Sequence, residues 1–463
     1  MTQSRIGAHR LASKPHQLLE RVDSVYFLLI PGWEDELRGN RWHFAVRWAK
    51  IKPVVLVSPV LSRGDAISVP EPRIPNCRIL RTQIVGEPNQ LAKAQIQLGQ
   101  VLADMAEHRF STPLLWCYNP DLAELYARVP ALVRVHHASE NYFDMPDRGP
   151  AYQQRLRAVV ATSDLTVAVS EGVAAGLVRR IDGADVVTVS NGCDFAQYSA
   201  GKPDETLVAA GRSFARVAVY AGNINARVDF ELLHDLATSN PQDLFAVYGP
   251  VKDLPRSDMG LWQKLVSLKN VIAPGAVDPD RLPNLYAAAD LGIIPYRQDP
   301  WLVENGLPLK ALEMCATGLP VVSSLMKPLA GMADSLVVAS SASEFLDAYS
   351  KTSRARLSTS QSAELKAVSS ANDYDIKFET ILDALDQRVT RSTPVTRVDK
   401  LIEVLGREWV EAEIRYSRWL AMPTAARGAG RFIGSLAFLL PAGVRRRLAT
   451  GRLRAAVRQL LGS

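Results

Sequence analysis

Short apolar runs alternate with amphipathic stretches from about residue 22 to residue 325. The first group is VYFLLI (25–30), PVVLVS (53–58), CRIL (77–80), PLLWCY (113–118), ALVRVHH (131–137), LTVAVS (165–170) and DVVTVS (185–190). The second is VAVYAG (217–222), LFAVYG (244–249), NVIAPG (270–275), LGIIPY (291–296) and PVVSS (320–324). Several are continuously apolar rather than alternating, the pattern of parallel strands covered on both faces. Amphipathic segments such as 91–107 and 152–163 lie between them. This repetition predicts doubly wound α/β sheets. Twelve candidate strands are too many for one ordinary sheet, so two Rossmann-like domains are expected.

The break between them falls in GCDFAQYSAGKPDETLVAAGRS (192–213), which lacks sustained periodicity. The expected organisation is an extension over 1–21, an N-terminal domain over 22–200 and a C-terminal domain over 201–372. A closing helix (373–390) and a helical, Arg-rich tail (391–463) follow.

Composition changes this picture little: 47% of residues are apolar and 22% charged. The four cysteines (Cys77, Cys117, Cys193, Cys315) have no metal-type spacing, so a reducing cytosol is expected. Residues 1–20 are polar and carry no secretory h-region, and no run reaches the ~18–20 apolar residues of a membrane span. Charge is informative because it is uneven. Residues 414–463 hold ten arginines, no lysine and no acid; that +10, against a total of +6, leaves −4 for residues 1–413. The basic balance therefore belongs to the tail, and no nucleic-acid signature accompanies it. The apolar part of the tail, 432–444, is too short to span a bilayer. With its arginines it reads as an interfacial segment for an anionic membrane surface, or as helices docking on the body.

The stretch most suggestive of chemistry is ENGLPLKALEMCATGLPVV (304–322). Pro308 suits a first helical turn and Gly318 a helix stop, so a helix is predicted over 308–317, feeding a strand. Lys310 and Glu313 are three apart and share one face near its N-terminus. Taken alone they read more readily as an ordinary solvated ion pair. A nucleotide would use the same arrangement: helix amides and ammonium toward phosphates, carboxylate toward ribose hydroxyls.

LPLKALEMCATGLPVV resembles the sugar-nucleotide site of GT-B glycosyltransferases of the group 1 type. Further landmarks of that family occur in order: VSEGVAAGL and VVTVSNGCDF (169–195), VAVYAGNI (217–224), LFAVYGP (244–250), NVIAPGAVDPDRLPNLYAAADLGIIPY (270–296) and SSANDYDIKFETIL (369–382). LLIPGWEDELRGNRWHFAVRWAK (28–50) and VHHASENYF (135–143) are similar to segments of teichuronic-acid and exopolysaccharide transferases. The resemblance covers about residues 22–390. It implies an α/β GT-B fold, two Rossmann-like domains facing a cleft, and transfer of a sugar from a nucleotide-diphosphate donor.

On that reading Lys310 and Arg227 hold the diphosphate, Gly222 and Asn223 form the turn against it, and Glu313 holds ribose. Val277 and Tyr296 touch the base, though both also read as packing residues. Many retaining members carry a second glutamate eight positions before the ribose carboxylate; here that position is Asn305, beside Glu304, which leaves the stereochemistry open. His136, His137 and Glu140 end a strand of the N-terminal domain and are the candidate catalytic groups, with Glu140 favoured as base. Arg41, Trp42 and His43 are expected on the acceptor side. No metal or cofactor is expected beyond the nucleotide sugar. The implied setting is cytoplasmic, at the inner face of the membrane, with a saccharide or lipid-linked acceptor and no nucleic acid. A catalytically silent GT-B scaffold and a GT-B sugar-nucleotide epimerase are the alternatives.

Overall fold

A computed structural model describes residues 16–29, 33–60, 67–83, 90–145, 148–252 and 254–406 of the chain. The Arg-rich stretch 414–463, with its membrane reading, lies outside the described residues, as does most of the extension 1–21.

Strands β1 (Ser24–Leu28), β2 (Val54–Val60), β3 (Ile67–Pro70), β4 (Cys77–Gln83), β5 (Pro113–Cys117), β6 (Val133–Ala138), β7 (Leu165–Ala168) and β8 (Val186–Thr188) form one sheet. Its order is β3-β4-β2-β1-β5-β6-β7-β8, parallel except where β3 runs against β4. Strands β9 (Val217–Ala221), β10 (Leu244–Tyr248), β11 (Val271–Gly275), β12 (Leu291–Ile294), β13 (Val321–Ser324) and β14 (Leu336–Ala339) form the second, wholly parallel, in the order β11-β10-β9-β12-β13-β14. That is the doubly wound order whose direction reverses between β9 and β12, the place where ligands of such sheets bind. All twelve expected runs fall on strands. The two not expected are edge strands: β3, exposed and ending on Pro70, and the four-residue β14. β3 lacks the apolar run that marks a covered strand, whereas β14 carries one, the short LVVA between two serines, that the sequence reading does not single out.

Helices bearing on the site are α1 (Asn40–Ala49), α2 (Pro150–Thr162), α3 (Glu171–Val178), α4 (Phe195–Ser199), α5 (Pro300–Asn305), α6 (Leu309–Ala316), α7 (Tyr374–Arg388) and α8 (Val398–Leu405). The apolar runs are continuous because each strand feeds two cores. Along β1, Val25 and Phe27 pack toward α1 and α7, while Tyr26 and Leu28 pack toward the opposite face. The first core is a slab of rings in which Phe27 lies 5.6 Å from Trp116, Trp116 5.3 Å from Phe44 and Trp48 5.1 Å from Phe378. Each such side chain contributes about 1.5–3 kcal/mol by leaving water.

The chain crosses between domains twice. Cys193 and Tyr198 already belong to the C-terminal core, and α7 returns to the N-terminal one. The crossings are stitched together by Cys193 N–H to Asn372 C=O (3.2 Å) and Tyr374 N–H to Cys193 C=O (3.1 Å). After α7 the chain stays on the N-terminal domain: Arg391 and Arg397 both pair with Asp164, and α8 packs on α2. Among the described residues no helix is long and apolar enough to cross a membrane.

Candidate donor site in the interdomain cleft

The sheet edge facing the cleft is stripped of side chains. β9, β10 and β11 end on Gly222 (φ 152°), Gly249 (146°) and Gly275 (89°), conformations that favour glycine. Adjacent strand ends are bonded, Gly222 N–H to Tyr248 C=O (2.9 Å) and Gly249 N–H to Gly275 C=O (2.8 Å). A Cβ on Gly222 would stand 2.2 Å from Lys310 Nζ.

Lys310 reaches this edge from the first turn of α6. Pro308, in extended conformation, precedes the helix, and Gly318 (φ 70°) follows its end, as the sequence pattern predicts. Nζ lies over two phenol rings, 3.9 Å from the centroid of Tyr220 and 5.1 Å from that of Tyr296. Burial disfavours ionisation of Tyr296, but Lys310, through its charge and a hydrogen bond, together with Arg227, outweighs it and sets the phenol below its ordinary value. Glu313, one turn further, is nearly buried. Burial holds its carboxyl above the usual range, opposed by His43, a hydrogen bond from Tyr198, and Lys310.

These residues open onto a cleft of about 840 Å³, a size that suits a small organic ligand. Among the described residues Lys310, Arg227, Lys252, Arg38 and Arg41 line it, with the carboxylates of Glu313 and Glu36, so the cleft favours an anion. Two ion pairs tie the domains across it: Arg38 to Asp280 (2.5 Å) and Arg227 to Glu140 (2.8 Å). The Arg227 guanidinium also lies 5.0 Å from the ring of Trp301.

Gly222, Asn223, Arg227, Val277, Tyr296, Lys310 and Glu313 all line this one cleft, with Arg41 on the opposite wall. The other expected residues do not. His136 and His137 lie wholly inside the core, because β6 continues to Ala138 and they are still within the strand. Burial drives their imidazoles down to about 4 and about 3, so both are neutral. His137 belongs to the ring slab, 4.9 Å from Tyr118 and 5.1 Å from Phe44. Glu140 is the member of that trio that emerges, to meet Arg227. Glu304 is half-exposed and paired with Lys327 (2.5 Å). Asn305 is buried, its amide donating to Trp301 C=O (2.7 Å) and its side chain set against Gly172 of α3. Trp42 is stacked on Trp33 (5.9 Å) under Arg73 (4.8 Å), and His43 is buried at the domain seam; neither lines the cleft.

The chain also carries two Asp-x-Asp triplets, Asp278–Asp280 and Asp373–Asp375. Their carboxylates are engaged as caps and ion pairs: Asp278 accepts from Asp280 N–H, Asp280 pairs with Arg38, Asp373 accepts from Asp375 N–H, and Asp375 pairs with Arg47. Among the described residues no group of His, Cys, Asp and Glu is arranged to hold a metal ion. Sequence reasoning missed Glu36, Arg38 and Tyr198. The first two stand in the charged segment WEDELRG before α1, and Tyr198 sits in what reads as linker.

Residues 215–353 match the family described as Glycosyl transferases group 1. The Bacillus subtilis protein TuaH, named for a teichuronic acid biosynthesis glycosyltransferase, is 34% identical over 141 residues, which is 30% of this chain and 34% of TuaH. The match thus spans about a third of that relative's length. Among solved structures, a UDP-forming α,α-trehalose-phosphate synthase from Burkholderia xenovorans superposes with a TM-score of 0.59 at 12% identity, covering 80% of this chain and 100% of that one. HepE from Anabaena, solved in complex with UDP and glucose, superposes with a TM-score of 0.56 at 16% identity, covering 78% and 98%. The molecule has the GT-B fold. Its C-terminal domain is similar to that of group 1 glycosyltransferases over residues 215–353.

Proposed function

We propose that the protein is a glycosyltransferase that moves a sugar from a nucleotide-diphosphate donor to a saccharide acceptor. The observation that carries this reading is the meeting of Lys310, Glu313 and the bare Gly222 strand end at the point where the sheet order reverses, inside a cationic cleft. In transfer, the bond from the sugar's anomeric carbon to the diphosphate breaks, a bond to the acceptor oxygen forms, and the acceptor proton passes to a base. Lys310 and Arg227 offset the charge that grows on the leaving diphosphate. Glu313 accepts from the ribose hydroxyls, and Val277 and Tyr296 border the base. Glu140 is the base. Release of nucleoside diphosphate in the presence of candidate donors and acceptors tests the reading; donor binding with neither transfer nor hydrolysis would favour a silent scaffold instead. NMR of the donor incubated alone separates out an epimerase.

Glu140 and Arg227 are paired across the cleft, so a diphosphate must compete with Glu140 for Arg227. Glu140→Gln is therefore expected to tighten donor binding about threefold, the scale of a partly exposed pair. The same change is expected to lower kcat by about 10²–10⁴-fold through loss of the base. Calorimetric titration with nucleoside diphosphate and a turnover assay read the two effects separately. Unchanged turnover would remove Glu140 from the chemistry.

We further propose that the acceptor is lipid-linked and the product a cell-surface polysaccharide or glycoconjugate, with the arginines of 414–463 holding the enzyme on anionic lipid. Each basic charge near such a surface adds roughly 1 kcal/mol. The full chain is expected to sediment with phosphatidylglycerol-containing vesicles, and a chain ending at residue 413 to stay in the supernatant; equal sedimentation would separate the tail from the membrane.

A further inference from the structure

The backbone at the start of the donor helix α6 straddles the two domains. The Leu307 side chain belongs to the C-terminal core, whereas that of Leu309, the first residue of α6, packs against the N-terminal core. Between them the Leu307 C=O is held from the N-terminal side, accepting from Asn191 Nδ2 (2.8 Å). Asn191 Oδ1 accepts from Asn40 Nδ2 (2.9 Å), and Asn40 Oδ1 from the Tyr118 hydroxyl (2.8 Å). Asn40 opens α1 and is buried; Tyr118 follows β5 and is buried in the ring slab, 4.9 Å from His137. The interdomain crossing that carries Asn191 is held to α1 a second time. Further along that helix, His43 Nδ1 lies 3.1 Å from Asp194 Oδ2, and Arg47 donates to Asp194 Oδ1 (2.7 Å). The direction of the relay is fixed at its end. A carbonyl can only accept, so Asn191 must present its amide N–H to Leu307 and its oxygen to Asn40, which repeats the choice toward Tyr118. None of these four residues lines the donor cleft.

We propose that Asn191 is a positioning residue for sugar transfer: anchored on the N-terminal domain through Asn40 and Tyr118, it grips the Leu307 carbonyl and sets the start of α6, and Lys310 with it, in register with the N-terminal wall of the cleft. This rests on the glycosyltransferase reading above. The groups assigned to the donor stand on the C-terminal domain and the base, Glu140, on the N-terminal one, so their relation depends on contacts across the seam. The Arg227–Glu140 pair must yield when a diphosphate takes Arg227. The relay lies outside the cleft, and no substrate displaces it. Pro308 stiffens the link. It fixes its own φ (−70°) and biases Leu307 toward extended backbone, so restraint on the Leu307 carbonyl passes on to Leu309 and Lys310 instead of being absorbed. The rate is sensitive to such placement: an error of about 1 Å between reacting groups can cost about 10²-fold.

The test compares Asn191→Asp with Asn40→Asp in the full chain. Asn191→Asp keeps the acceptor toward Asn40 but sets an oxygen against the Leu307 carbonyl. Asn40→Asp stands one residue back, yet its new acceptor draws the Asn191 N–H and turns the Asn191 oxygen toward Leu307, so the same bond is lost. In both, affinity for the tightest of UDP, GDP, ADP and CDP, read by calorimetry, should change by less than about threefold, because the groups that hold it are elsewhere. With donor and acceptor supplied, kcat for transfer should fall about tenfold, the scale of one buried hydrogen bond. The ratio of donor hydrolysis to transfer should rise by a similar factor as the seam admits water. Misfolding would lower both reactions alike and leave that ratio unchanged. Tyr118→Phe, which leaves both amides in place, should act in the same direction by less. Amide hydrogen exchange gives a readout without turnover: over residues 309–312 it should quicken about tenfold in both Asp variants, while the amides of β9 and β10 hold. An unchanged ratio, unchanged exchange, or an Asn191→Asp effect that Asn40→Asp does not reproduce would overturn the proposal and leave the donor site intact. A wild-type chain that releases no nucleoside diphosphate with any donor and acceptor would instead overturn the glycosyltransferase reading, and the exchange alone then decides whether Asn191 holds α6.

Discussion

Lys310→Ala is expected to lower kcat/KM for the sugar donor by about 10²–10³-fold, or roughly 3–4 kcal/mol of transition-state stabilisation. The ammonium is the cation closest to the glycine edge of the sheet, within reach of a Gly222 Cβ were there one. It is also preorganised, lying against Tyr220 and Tyr296 on the first turn of α6, where the helix amides point the same way. A group placed before the reaction begins contributes more as charge grows on the leaving diphosphate than it does in the ground state, so the loss should fall mainly on kcat. Lys310→Arg should rescue little: a planar guanidinium does not fit the slot between the two phenols and the Gly222 backbone as a compact ammonium does. The urea midpoint should move little, because Lys310 makes no contact that the sheet needs. Steady-state kinetics on wild type and both variants decide it; a change in kcat/KM within threefold would remove Lys310 from the phosphate site.

The contrast between the two halves of the cleft explains how much of it can be read from sequence. On the C-terminal side the site is local: three consecutive strands end in glycine, and a proline-started helix presents Lys310 and Glu313 one turn apart. Strand, turn and helix start are short-range patterns, and Gly222, Asn223, Arg227, Val277, Tyr296, Lys310 and Glu313 all line the cleft, while Glu304 and Asn305, at the end of α5, do not. On the N-terminal side it is not local. Whether His136, His137 or Glu140 leaves the sheet depends on where β6 ends, and one residue decides which face a side chain meets. For α1, amphipathic logic fails because the helix is enclosed by its own sheet, by α7 and by the opposing domain. Polar Asn40, His43 and Arg47 are buried there alongside Phe44 and Trp48. A buried histidine looks the same in sequence as an exposed one; only the partner supplied from residue 194 distinguishes it.

Gly249→Ala and Gly222→Ala should fail in different ways, and the difference follows from what each added Cβ meets. At Gly249 the φ of 146° already disfavours any L side chain, and the Cβ would lie 1.8 Å from the Gly222 carbonyl oxygen, which is backbone. Relief requires β9 and β10 to part at their C-terminal ends, where Gly222 N–H bonds Tyr248 C=O and Gly249 N–H bonds Gly275 C=O. Backbone strain and overpacking together should cost about 3–4 kcal/mol, seen as a lower urea midpoint at constant m. At Gly222 the φ is equally unfavourable, but the nearest atom is Lys310 Nζ at 2.2 Å, the far end of a flexible side chain. The lysine can swing aside where a carbonyl cannot. Gly222→Ala should therefore cost only the conformational strain, about 1–2 kcal/mol, while displacing the ammonium from the strand end and approaching the kinetic loss of Lys310→Ala. If the site is as described, Gly222→Ala combined with Lys310→Ala should lower kcat/KM little beyond Lys310→Ala alone, since both remove the same cation from the same place. Additive losses would mean that Gly222 serves the donor through its own backbone rather than by making room for Lys310.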